Sequence, residues 1–188
     1  MHPETTRSRA IEEAGIDLDS DSFMRRLLRE LSGTIERVVG LEDASGYVAT
    51  VGGVMGDWLN AAYHAELGEA DFDLETVAQV FVDLKRRIDG GFAVVAVEPE
   101  RIVLRNTRCP FGPSVFGRPS LCMMTSNVFG RIAADNLGYA RVKLHQVIAS
   151  GAAQCEVTVH LRPRGSLQAD EREYYRLPPV ANRIDAAR

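Results

Sequence analysis

The chain has 188 residues, 45% of them apolar, and a net charge of −4. That is enough for one domain with appendages and a sizeable core. The acidic balance excludes a general binder of nucleic acid or anionic membranes, which needs a basic excess. No apolar run approaches the about 18 residues of a membrane helix; the longest, FAVVAV, covers residues 92–97.

The start, MHPETTRSRA, lacks the apolar region of a secretory signal. Three widely separated cysteines do not make a secreted disulfide framework. The expectation is a cytoplasmic protein with reduced thiols, in contact with neither membrane nor nucleic acid.

Residues 1–19 are polar and without period, an arm. DSDS then supplies N-cap candidates for a first helix, in which Phe23, Leu27, Leu28, Leu31, Ile35, Val38 and Val39 keep a helical period up to Gly40. Gly46, Gly52, Gly53 and Gly56 weaken the next stretch, so a second helix is expected only from about Val54 to Leu67. Close backbone packing explains such glycines better than a phosphate loop, because no GxxxxGK(S/T) pattern is present.

Asp73 suits the cap of a third helix, LETVAQVFVDLKRRID, with Val77, Val80, Phe81, Leu84 and Ile88 on one face. Its Lys85-Arg86-Arg87 run reads as a solvated helix end facing the negative end of the dipole. The period then changes to two. FAVVAVE and RIVLRN form a hairpin around Glu98-Pro99-Glu100.

The loop CPFGPSVFGRPSLC follows, from Cys109 to Cys122, with Ser120 as the cap of a helix ending at Gly138. A second hairpin, ARVKLHQVIA and QCEVTVHLR, flanks SGAA, and a polar tail occupies 164–188. The prediction is an α+β fold. N-terminal helices precede an antiparallel sheet of about four strands, with a helix between its two hairpins. Residues 20–163 form a single sensory or regulatory domain.

The cysteines are the candidate chemistry. Cys122 falls at a helix start, where outward N–H groups favour a thiolate. Cys109 lies in the loop before a proline. Strand alternation puts Cys155 on one face with Val157, Val159 and Leu161. With a turn at Gly151-Ala152, Leu144 pairs with Val159 and Cys155 points inward.

Convergence of Cys109, Cys122 and Cys155 favours thiolate-ligated metal, an iron–sulfur cluster ahead of zinc, since structural zinc usually takes four protein ligands. Against this stands burial of free cysteines as small apolar side chains. His145 and His160 count to the opposite face of the sheet, and His2 and His64 read as structural or exposed. Met123, Met124 and Phe129 suit either a small-molecule pocket or the core. GxSxG, HExxH, EF-hand and GxGxxG patterns are all missing, so no enzyme is expected.

The segment CPFG…LCMMTSNVFGRIAADNLGYARVKLHQVIASGAAQC resembles the methanogen output domain, as do GYVATVGGVMGDWLNAAY and LETVAQVFVDLKRRIDGGF. The likeness covers roughly residues 22–162. That family is similar to the 4-vinyl-reductase-type sensory domains, some of which bind zinc. Cys122 and Cys155 match the outer two positions of that zinc pattern, but the inner two fall near Leu144 and Val147, which do not ligate.

The three cysteines also resemble the sensory half of iron–sulfur-responsive Suf repressors. A further cysteine of that pattern is missing near Asn136, and residues 1–75 show no helix-turn-helix signature. The resemblance implies a signal-transduction module, a homodimer or the partner of a signalling protein such as a histidine kinase or transcription regulator. Two other readings are a sensor for a small apolar ligand with buried structural cysteines, and a thiol-dependent enzyme.

Overall fold

The computed structural model describes residues 11–16, 18–168 and 170–176. The first ten residues of the polar arm, His2 among them, and the polar tail from 177 onward lie outside the described residues.

Helix α1 spans Ser20–Leu67. A reciprocal cap starts it: the Asp19 carboxylate accepts from the Ser22 N–H at 2.7 Å, and the Ser22 hydroxyl oxygen accepts from the Asp19 N–H at 3.0 Å. The first segment of α1 ends at Gly40, as the sequence predicts: its φ of 84° and ψ of 167° are not helical, and the φ is open to glycine at little cost. The second segment resumes directly after this kink, well before the expected start at about Val54. The later glycines do not end the helix, because a neighbouring helix needs them. A Cβ at Gly52 would stand 2.8 Å from the Asn127 Cβ, and one at Gly56 would stand 2.8 Å from the Arg131 Cβ. Tertiary packing overrides the propensity penalty here. The early apolar period of α1 does not face the core: Met24, Leu31 and Val38 are 51%, 51% and 76% exposed.

Helix α2 spans Leu74–Arg86, capped by Asp73, which accepts from the Thr76 N–H at 2.8 Å. Val77, Val80, Phe81 and Leu84 are buried as expected, whereas Ile88 lies beyond the helix and is exposed. Strands β1 (Phe92–Glu98) and β2 (Arg101–Asn106) form the first hairpin. Two short 3-10 turns, Gly112–Val115 and Pro119–Leu121, lead into α3, Cys122–Leu137. Strands β3 (Tyr139–Gln146), β4 (Cys155–His160) and β5 (Glu171–Tyr175) complete one antiparallel sheet of order β1-β2-β4-β3-β5.

The sheet thus has five strands where about four were expected. β5 comes out of the polar tail and pairs along β3. Its Tyr174 fits a notch in α3: a Cβ on Gly130 would lie 2.1 Å from the Tyr174 ring. The Tyr174 hydroxyl also shares a 3.0 Å hydrogen bond with Ser126.

Helices α2 and α3 cover one face of the sheet. The core between them is built on Phe81 stacked on Phe129 at 4.2 Å, with Phe92 edge-on to Phe129 at 5.5 Å. Ile102, Leu104, Val142, Val157 and Val159 contribute from the sheet. The opposite face is polar, and the connection after β4 folds back over part of it, where the Arg164 and Gly165 carbonyls accept from Arg141.

Candidate functional site

The core closes off before it reaches one end of the sheet. A smaller apolar cluster takes over there, made of Val115, Leu121, Ile148 and Ala149, with Cys109, Cys122 and Cys155 packed against it. Each thiol arrives from a different element. Cys109 sits in the loop after β2, Cys122 opens α3, and Cys155 opens β4 beside Asn106 of β2. All three are unpaired and partly buried. They line one cavity of about 30 Å³ with Phe92, Phe111, Val115 and Leu144 among its walls, enough for a water or two.

The inward aspect of Cys155 follows the alternation read from the sequence, although the pairing differs. Leu144 faces Val157, not Val159, and a bulge follows at His145. This slip of two leaves Leu144 and the residues of β4 on their expected faces, while the bulge turns Gln146 outward beside Glu156. The Cys155 sulfur accepts from the Ile148 N–H at 3.3 Å.

Cys122 differs from expectation in its charge. The 3-10 turn already satisfies its N–H through the Pro119 and Ser120 carbonyls, and the Ser120 hydroxyl donates to Glu36 at 2.5 Å instead of capping α3. Burial therefore outweighs the helix dipole, with the two neighbouring sulfurs adding to it, and the thiol is pushed up to about 12. Burial raises Cys109 and Cys155 as well. The ligand-free thiols are neutral near pH 7.

Lys85 was missed at the sequence level. Its side chain is not a solvated helix end: the residue is 4% exposed. Its ammonium donates to Thr125 Oγ1 at 2.8 Å and lies 5.6 Å and 5.3 Å from the centroids of Phe92 and Phe129. Burial lowers its pKa to about 8, opposed by the three cysteines, which are close enough for a thiolate on any of them to stabilise the cation. The signal was available: Lys85 stands four residues after the buried Phe81, on the apolar arc of α2.

The donor set is soft and suits zinc or an iron–sulfur cluster. The ligand-free thiols do not form a closed coordination sphere. Among the described residues, no group of three or more His, Cys, Asp or Glu side chains is arranged to hold a metal ion. The histidines stay away from the chamber. His145 bonds the Thr158 hydroxyl at 2.9 Å on the far face of the sheet, His160 is buried on that same face, and His64 stacks on Phe72 at 4.1 Å.

A second cavity, of about 610 Å³, opens between α1, α2 and α3, lined by Met55, Trp58, Tyr63, Leu84, Met124 and Val128 among others. Lys85 borders it too. Phe129 belongs to the core, while Met124 lines this groove. No helix among the described residues is long and apolar enough to cross a membrane.

A sequence model of the methanogen output domain 1 family matches residues 27–160. No curated protein matches the chain. Among solved structures, the chain is similar to a trafficking protein particle complex subunit 3 from Naegleria fowleri, a structure in which that subunit is covalently bound to palmitic acid. The TM-score is 0.53 at 12% identity, over 75% of this chain and 96% of that one. At that identity the likeness is one of fold.

Proposed function

The chain belongs to the methanogen output domain 1 family, and from that premise we propose that it is a sensory domain whose signal enters at the chamber of Cys109, Cys122 and Cys155. The observation that carries this reading is the convergence of three unpaired thiols from three elements on one apolar cavity, near a buried ammonium that has no carboxylate partner among the described residues. A buried cation without a counter-ion is costly. Thiolate ligands would supply the missing negative charge, and Lys85 would hold that charge in a medium of low dielectric.

The group favoured by the donor chemistry is an iron–sulfur cluster, with zinc as the alternative. Cys109, Cys122 and Cys155 would ligate it, and a cluster would supply a response to redox state or oxygen. The chamber as it stands is too small, so loading requires the sulfurs to lose their protons and the loop at Cys109 to move. The domain then signals to a partner, in a reducing compartment such as the cytoplasm, where free thiols persist. The test is anaerobic purification followed by an absorption spectrum. Visible absorption in the wild type, lost in Cys122→Ser with retained helical circular dichroism, is the expected outcome. Spectra that are identical and featureless beyond the aromatic band overturn it.

A second reading, a sensor for a small apolar ligand, draws on the 610 Å³ groove and on the acyl group carried by the similar trafficking-complex subunit. It predicts that a Cys109→Ala, Cys122→Ala, Cys155→Ala variant keeps both its fold and its ligand response. A thiol-dependent enzyme has less support, because burial holds the thiols protonated where an activated nucleophile needs the reverse.

A further inference from the structure

Helix α1 packs on α3 through one face and leaves the other bare among the described residues. On its second half the bare face carries Tyr47, Val51, Val54 and Trp58, which are 59%, 52%, 65% and 60% exposed. Their spacing is 4-3-4, and exposed Ala61 and Ala65 continue it by 3 and 4. This is the heptad seam of a helix that packs against another helix. The half before Gly40 carries a similar stripe of Met24, Leu27, Leu28, Leu31 and Val38, all exposed.

The charge pattern points the same way. Between residues 44 and 65 the sole Asp, Glu, Lys or Arg is Asp57, and it is taken by Arg131 at 2.9 Å. An exposed helix face is normally rich in charge, and loss of charge marks the centre of an interface.

We propose that this stripe of α1 is the surface on which a second copy of the chain docks, helix against helix about a two-fold axis. A heptad seam supplies both knobs and holes, so it complements its own copy without further design. A face without charge has nothing with which to select a charged foreign partner. The size is also adequate. Nine half-exposed large apolar side chains bury on the order of 30–60 Å² each. With the polar rim that surrounds such a patch, this approaches the about 800 Å² per partner of a stable interface.

Trp58 gives the dimer a functional consequence. It belongs to the seam and also lines the 610 Å³ groove between α1, α2 and α3. A change in what fills the groove therefore reaches the dimer surface through one side chain. This inference does not depend on what the cysteines hold.

The test is the mass of the full chain by sedimentation velocity, with Trp58, the chain's single tryptophan, as a second reporter. The wild type is expected at twice 20.7 kDa. The Val51→Glu, Val54→Glu double variant is expected at half that mass, with unchanged circular dichroism. Leu67→Glu, exposed on the opposite side of the helix, is expected to remain dimeric. Dilution of the wild type should shift Trp58 emission to the red as mass falls. A monomeric wild type, a double variant that stays dimeric, or an assembly that keeps growing with concentration overturns the proposal. If the double variant fails to fold, Trp58 emission that stays constant while wild-type mass halves overturns it as well.

Discussion

Among the described residues, two buried cations lie on opposite sides of the sheet and are treated differently. Arg141, on the outer face, is 4% exposed. Its guanidinium donates to Glu173 at 2.5 Å and 3.0 Å, to the Tyr139 hydroxyl at 3.2 Å and to the carbonyls of Arg164 and Gly165, with Glu171 at 3.5 Å. Lys85, on the inner side, is as deeply buried and has one hydroxyl and two ring faces. The first is a completed network that fastens β5 and the preceding connection to β3. The second is a charge held in a place that does not balance it. Stability alone does not account for the second arrangement, since an apolar side chain would pack there at less cost. The proposed role beside the thiols accounts for it.

The contrast is sharpest under mutation. Arg141→Met removes the guanidinium partner of Glu173 and the donor to the Arg164 and Gly165 carbonyls, and is expected to lower the midpoint of thermal unfolding by about 10 °C. Lys85→Met should do the opposite in the ligand-free protein, raising the midpoint by about 5 °C, while reducing retention of any thiolate-bound metal. Differential scanning calorimetry of both variants checks this. A Lys85→Met protein less stable than wild type would remove the distinction between the two sites.

A smaller effect is carried by pH. Lys85 has a folded pKa of about 8 against 10.5 unfolded. Between these values the unfolded chain binds more protons at this position, so stability rises with pH. Cys109, Cys122 and Cys155, all raised above their ordinary value of 9, act in the opposite sense as pH approaches 9 and passes it. The difference between wild type and Lys85→Met from pH 8 to 9 therefore reports Lys85. Measured by urea unfolding, wild-type stability should gain on that of Lys85→Met across this window.

The smallest expected effect is at His160, whose Nε2 is buried without a partner among the described residues. Burial, with Arg164 nearby, lowers its pKa from 6.5 to about 4. The stability it contributes is full above pH 6.5 and lost as pH falls toward 4. His160→Gln should flatten that acid limb in the same unfolding assay. An unchanged limb would mean that the outer network does not depend on a neutral ring.

Much of the candidate site's geometry was legible in sequence. Alternation put Cys155 inward although the pairing partner was off by two, because face depends only on parity. The loop from Cys109 to Cys122 was read where it lies. Lys85 was lost because Lys85-Arg86-Arg87 looks like one solvated run. Two of its members are solvated, at 69% and 66% side-chain exposure, and the third turns inward with Phe81. The break at Gly40 was legible, but the early start of the second segment was hidden because Gly52 and Gly56 look like breakers until α3 is laid across them. β5 was hidden because the fit of Tyr174 over Gly130 joins positions 44 residues apart, and no local pattern reports that.

If the three thiols hold a metal group which Lys85 balances, iron and acid-labile sulfide measured together on anaerobically purified protein will report it. Iron is expected in the protein at a fixed ratio to polypeptide, accompanied by sulfide and absent from Cys122→Ser, with zinc alone supporting the alternative ligand. Protein free of both metals, folded and colourless, would contradict it.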